Sequence, residues 1–148
     1  MAILLAAMMM AALSAADEKA AFTAAGFKLK GQEWQACGDP GSATYRAGLV
    51  WAVQDLNGDG PPEAILTERS AACFGRAGSG YWLVSKQANG SWKLITKGAG
   101  AVRVLATRGV GNWPDLEIGG PGSCLPIQRW NGRAYVPARR SNDGKPCR

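Results

Sequence analysis

The stretch Asp55-Leu56-Asn57-Gly58-Asp59-Gly60-Pro61-Pro62-Glu63, followed by the apolar Ala64-Ile65-Leu66, decides how this chain is read. Oxygen-bearing side chains recur at every second residue: Asp55, Asn57 and Asp59. Gly60 follows and can take the positive φ that a tight curl needs. Pro61 keeps a backbone carbonyl, and Glu63 closes the run. A hard cation such as Ca2+ takes six to eight oxygens at roughly 2.3–2.6 Å, and a loop of this spacing can supply several of them. The head matches the EF-hand consensus, D-x-[DN]-x-[DN]-G-x5-E, but the twelfth position, where that loop has its bidentate Glu, is Leu66. Pro61 and Pro62 oppose a continuing helix, and Ala64 to Thr67 reads as a strand. The stretch is therefore an acidic loop between two strands. As a plain turn, Asn57-Gly58 and Asp59-Gly60 would suffice. The three carboxylates of Asp55, Asp59 and Glu63 repel one another unless a cation or solvent screens them.

The run Asp55-x-Asn57-x-Asp59-Gly60-x-x-Glu63 resembles the FG-GAP (integrin α-type) repeat, in which an acidic D-x-N-x-D-G-x-x-D loop precedes an apolar strand and a G-A-P tail. That resemblance implies blade-like β-meanders with Ca2+ held in the inter-strand loop, here by Asp55, Asn57, Asp59, the Pro61 carbonyl and Glu63. Thr67-Glu68-Arg69 stands where the tail belongs. A second, degenerate copy carries a tail-like end at Asp115-Leu116-Glu117-Ile118-Gly119-Gly120-Pro121-Gly122. With Asp115 aligned to Glu63, Thr107, Gly109 and Gly111 replace the three oxygen ligands.

Turn chemistry extends the repeat. Asn89-Gly90 and Asn131-Gly132 punctuate equivalent hairpins. Around these turns, strand-like runs fall at 49–56, 63–68, 81–87 and 91–96, then again at 102–107, 115–118, 125–130 and 133–137. The expected fold is all-β: two antiparallel four-stranded meander units, about 49–97 and 101–138, arranged as a sandwich or like propeller blades. A short helix at 17–27, acidic at its start and ended by Gly26, is expected to cover an open sheet edge. Residues 28–37 read as a small hairpin. The segments 71–80 and 139–148 read as loops, the latter a surface strap.

Residues 1–16 carry no charge and are mostly apolar, and Ser14-Ala15-Ala16 offers small residues before Asp17. This reads as a secretory signal peptide, too short to span a bilayer, leaving 17–148 as one β-rich domain without a stable membrane span. Export suits the four cysteines, Cys37, Cys73, Cys124 and Cys147, none of which forms a C-x-x-C pair. Four cysteines allow three pairings. Cys73–Cys124 with Cys37–Cys147 is favoured, because Cys73 and Cys124 follow corresponding strands of the two copies.

The chain has no histidine, which removes the commonest general base and the usual zinc ligand. No Walker-type loop, Rossmann fingerprint or G-x-S-x-G motif occurs, so nothing supports an enzyme. Carboxylate pairs could be drawn from Asp55, Asp59, Glu63, Glu68, Asp115 and Glu117. The first three belong to the loop, and Asp115 and Glu117 alternate as on a solvated strand face. A net charge of +6 on an exported chain points to an unknown protein or an anionic envelope polymer as partner, not to nucleic acid. Among the six tryptophans, Trp113 lies in the loop that lost its ligands and is the expected exposed partner contact.

Taken together, the sequence points to a periplasmic or secreted calcium-binding β-domain that acts as a binding or interaction module, its ion structural. Two readings stand beside it: a metal-free interaction or inhibitor protein directed at an envelope hydrolase, and an envelope hydrolase.

Overall fold

The structure, a computed structural model, describes residues 12–39 and 41–148. Among the described residues, two antiparallel meander sheets are accompanied by one longer helix and a few single helical turns. Helix α1 spans Ala15–Ala24. The first sheet runs in chain order through β1 (Lys28–Lys30), β2 (Glu33–Gln35), β3 (Arg46–Gln54), β4 (Glu63–Arg69), β5 (Ser79–Lys86) and β6 (Trp92–Ala99). The second holds β7 (Ala101–Arg108), β8 (Pro114–Gly119), β9 (Leu125–Trp130), β10 (Tyr135–Asn142) and β11 (Lys145–Pro146), again with each strand beside its neighbour in sequence. The two expected four-stranded meanders are β3–β6 and β7–β10. The hairpin β1–β2 and the short β11 extend them.

Three layers result. The strand alternation of β4 sends Ala64 and Leu66 to one face, where they join Phe22, Phe27, Trp82, Val84 and Trp92 beneath the helix. Ile65 faces the other way, with Tyr81 and Leu83, against Leu116, Ile118 and Tyr135 of the second sheet. Because the first sheet is covered on both sides, β4 and β5 are almost continuously buried. The helix thus lies on a sheet face and does not cap an edge as expected. Its apolar anchor Phe22 has a broad surface to fill there. A Cβ at Gly48 would come 2.7 Å from the ring of Phe27 and 2.9 Å from that of Phe22, so only glycine lets β3 pass so close to them.

Ser14 caps α1, its side chain accepting from the Asp17 amide at 3.1 Å. Leu13 packs against the core under the helix. The helix therefore begins two residues before the expected cleavage point, while residues 1–11 of the expected signal peptide lie outside the described residues.

The disulfides differ from the expected pairing. They are Cys37–Cys73 and Cys124–Cys147. Each staple stays within one sheet. Cys37 follows β2 and Cys73 follows β4, while Cys124 precedes β9 and Cys147 follows β11. A pairing of equivalent positions in the two copies would have to bridge separate sheets. Two disulfides fit an oxidising compartment.

Two expected loops are ordered elements. Residues Ala71–Phe74 form a one-turn helix, α2, capped by the Ser70 side chain on the Cys73 amide. The expected terminal strap begins as the second half of β10 and returns through Asp143-Gly144 into β11.

Candidate metal loop and its counterpart in the second sheet

The acidic loop leaves β3 at Gln54 and enters β4 at Glu63. Its curl is held by its own side chains. Asp55 accepts from the amides of Gly58 and Gly60, both at 2.9 Å, and Asn57 accepts from the Asp59 amide at 3.1 Å. Gly58 and Gly60 sit at φ 79° and 105°, which L side chains rarely adopt, so the turn needs glycine at both positions. Asp55 and Asp59 are exposed, whereas Glu63 is 1% exposed.

Asp55, Asp59 and Glu63 each offer an oxygen, and these atoms lie within 4.8 Å of one another. Two oxygens on opposite sides of one Ca2+, each at about 2.4 Å, are about that far apart. The set is all oxygen, which suits a hard cation and not zinc. Of the expected ligands, the structure brings these three carboxylates together. Asn57 spends its side-chain oxygen on the turn, and Pro61 is half-buried at the entrance to β4.

Glu63 accepts from the Leu56 amide and from the Ser85 hydroxyl, both at 2.7 Å. Among the described residues no lysine or arginine forms an ion pair with it. Burial raises its pKa against the pull of those two hydrogen bonds, and the charges of Asp59 and Asp55 raise it further.

The second sheet solves the same problem differently. Asp115, which the repeat alignment sets against Glu63, is fully buried. The cross-strand partner of Glu63 is Ser85. At the matching place beside Asp115, one step beyond the Leu116–Gln128 pair, stands Arg129. Its guanidinium donates to both Asp115 oxygens, at 2.9 and 2.8 Å, and Arg139 adds a contact at 3.1 Å. Thr107, in the place of Asp55, donates its hydroxyl at 2.6 Å. Led by the Arg129 hydrogen bonds, these contacts hold the Asp115 pKa down at about 2. Two strand positions further on, buried Glu117 pairs with Arg103 at 2.9 Å. Asp115 and Glu117 thus share a face as the alternation required, but that face is roofed by guanidinium groups and is not solvated.

The two loops also touch. Arg108 donates to the carbonyls of Leu56 (2.6 Å) and Asn112 (2.8 Å), and the Asn112 side-chain Nδ2 donates to the Asn57 carbonyl at 3.0 Å. The loop after β7, which carries no carboxylate, therefore braces the acidic one.

Several of these residues carry no motif. Arg103, Arg108, Arg129 and Arg139 could have been suspected only from charge asymmetry: residues 101–148 hold eight basic and three acidic side chains, so +5 of the net +6. Glu68, fully buried on the helix side of β4, takes the amides of Ala36 and Cys37 and the hydroxyl of Tyr45. Asp39 accepts from Ser42 and Ser70, with its pKa lowered to about 2, chiefly by Ser42. Both fix the loop before β3, and their signal was an acid or a serine amid small residues.

Trp113 is not the exposed indole. It is half-buried against Trp130 (5.5 Å between ring centres) and Tyr135 (6.4 Å). The exposed indole is Trp51, at 64%.

Fold and site define a two-sheet, disulfide-stapled antiparallel β-protein with an acidic inter-strand loop. Comparison of the chain with protein-family models, curated proteins and solved structures finds no match.

Proposed function

We propose that the protein is an exported calcium-binding β-domain that acts as an interaction module, with one structural Ca2+ held by Asp55, Asp59 and Glu63, aided by the Asn57 and Pro61 oxygens. The observation that supports this reading is the contrast between Glu63 and Asp115, the buried carboxylates at matching places in the two sheets. A buried carboxylate stays ionised only where a counter-charge or enough hydrogen-bond donors offset its burial, as the serines and amides do for Asp39. Asp115 has Arg129 and Arg139 beside it. Glu63 has Asp55 and Asp59 instead, and an external cation supplies what the arginines supply in the second sheet. The ion would screen three carboxylates, tie the β3–β4 loop to the strand it enters, and so stiffen the contact that Arg108 and Asn112 make with that loop.

The metal-free interaction protein remains the second reading, favoured by one observation. Asp55, Asn57 and Glu63 already spend oxygens on amides and a hydroxyl, so the loop closes on its own hydrogen bonds.

Glu63→Gln separates the two. The raised pKa means that the fold disfavours the Glu63 charge, so removing it in EDTA at neutral pH is expected to leave thermal stability unchanged or slightly higher. The same variant, and Asp59→Ala, are expected to lose the stabilisation that Ca2+ gives the parent protein, whereas Asp115→Asn keeps it. Melts of the three variants with and without Ca2+ decide the matter. A full calcium response in both Glu63→Gln and Asp59→Ala would end the assignment.

A further inference from the structure

Among the described residues, strand β3 is paired on its outer side with β2 only at Gly48, and no described strand pairs with the outer edge from Leu49 to Gln54. Its register against β4 slips between Val50 and Ala52. Val50 packs towards the helix and Ala52 towards the second sheet, and the residue left over in this bulge is Trp51. Bulges re-aim side chains and recur beside functional sites. Here the bulge turns a full indole outward, 64% exposed, on a domain whose other tryptophans are buried or half-buried.

On the side of the second sheet, Trp51 borders a groove of about 360 Å3, within the ~300–1,000 Å3 range of small-ligand clefts. Thr67, Arg69 and Ser79 line it with polar groups, and Ala101 and Val102 of β7 form its apolar opposite side. Arg69 stands directly across the ladder from Arg46, an opposition of like charges that costs stability. Arg46 turns back to donate to the carbonyls of Ala43 and Tyr45, at 3.3 and 2.7 Å. Among the described residues no carboxylate pairs with the Arg69 guanidinium. Ser79 donates to the Gly100 carbonyl at 3.3 Å, which leaves its hydroxyl oxygen free to accept.

We infer that this groove is a binding site for an acidic saccharide, seated with a sugar face on the Trp51 indole and its carboxylate on Arg69. Each part of that ligand meets its complement. A sugar ring presents an apolar face of C–H groups to an aromatic surface, and a planar guanidinium takes a carboxylate in two parallel hydrogen bonds. The Thr67 and Ser79 hydroxyls serve the ring hydroxyls, and the small Ala101 leaves room for the ring edge. An uncharged sugar leaves Arg69 unmatched, and an acidic peptide offers no ring face to the indole. The site uses none of Asp55, Asp59 or Glu63, so it stands or falls apart from the metal reading.

Titration with trigalacturonic acid, followed by calorimetry in EDTA so that chelation plays no part, tests it. Saturable binding is expected, weakened about tenfold or more by Trp51→Ala and by Arg69→Gln, as for tryptophan and arginine anchors at the centre of an interface. The same trisaccharide with its carboxyl groups reduced is expected to bind at least about tenfold more weakly. Far-UV circular dichroism and cooperative thermal melts close to those of the parent show that the variants fold; both side chains are exposed. No binding at millimolar ligand, unchanged affinity in both variants, equal affinity for the reduced sugar, or preference for a triglutamate peptide would each overturn the inference.

Discussion

Asp115→Ala is expected to destabilise the protein by about 2–4 kcal/mol. The substitution removes the acceptor for three arginine hydrogen bonds and the Thr107 hydroxyl, and leaves two guanidinium groups facing a void. Breaking a buried pair costs about 3–5 kcal/mol when both charges are enclosed. Arg129 and Arg139 keep some 40% of their side-chain surface in water, which lowers the figure. The same residue shapes the acid limb. A carboxylate whose folded pKa lies below its unfolded value stabilises the fold above the unfolded pKa, near 3.8, and loses that contribution as pH falls towards its folded value of about 2. Glu63, with its pKa raised, acts in the opposite sense: the metal-free fold loses stability as pH rises from about 4.5 through the folded value. Denaturant melts from pH 2 to pH 7 should show a shallower acid loss in Asp115→Asn than in the parent, and a profile unchanged by that substitution would contradict the ion-pair account.

Phe22→Ala is the second large effect, about 3–5 kcal/mol. Phe22 is 1% exposed, stacked on Trp34 at 5.0 Å and set edge-on to Phe27 at 5.0 Å. It seats the helix on the first sheet, and Gly48 is shaped to its ring. Truncation opens a cavity beneath the helix and removes the stacking partner of Trp34, while Phe27 is held edge-on against Trp82 and is not free to fill the space. A fall in melting temperature on the order of 10 °C is expected. A change near that of an exposed control such as Leu29→Ala would show that the helix does not form part of the core.

The meanders were legible because local chemistry dictates them. Asn89 accepts from the amide and hydroxyl of Ser91, and Asn131 accepts from the amides of Arg133 and Ala134, so each Asn-Gly turn is written into two or three residues. The acidic loop was legible for the same reason: Asp55 folds it by bonding to Gly58 and Gly60 within its own span. The disulfide pairing was not, because it depends on which strand ends share an edge in space. The burial of Asp115 and Glu117 was hidden too. Alternation places both on one face, but whether water or arginine covers that face depends on β7, β9 and β10 supplying Arg103, Arg129 and Arg139 from 12 to 24 residues away. Trp51 shows a third limit. A residue extruded by a bulge breaks the period-2 rule, so the alternation that assigns faces along β3 cannot place it.

Everything proposed for the Asp55–Glu63 loop turns on its holding Ca2+. Its most direct test is a thermal melt of the oxidised protein in EDTA and then across rising Ca2+ concentration. A site filled at 100 times its dissociation constant adds about 2.7 kcal/mol, a rise of several degrees for a domain of this size. That rise is expected, saturating with Ca2+ and reversed by EDTA. A melting temperature that stays the same at every calcium concentration would contradict it, and would reduce the loop to a turn closed by its own hydrogen bonds.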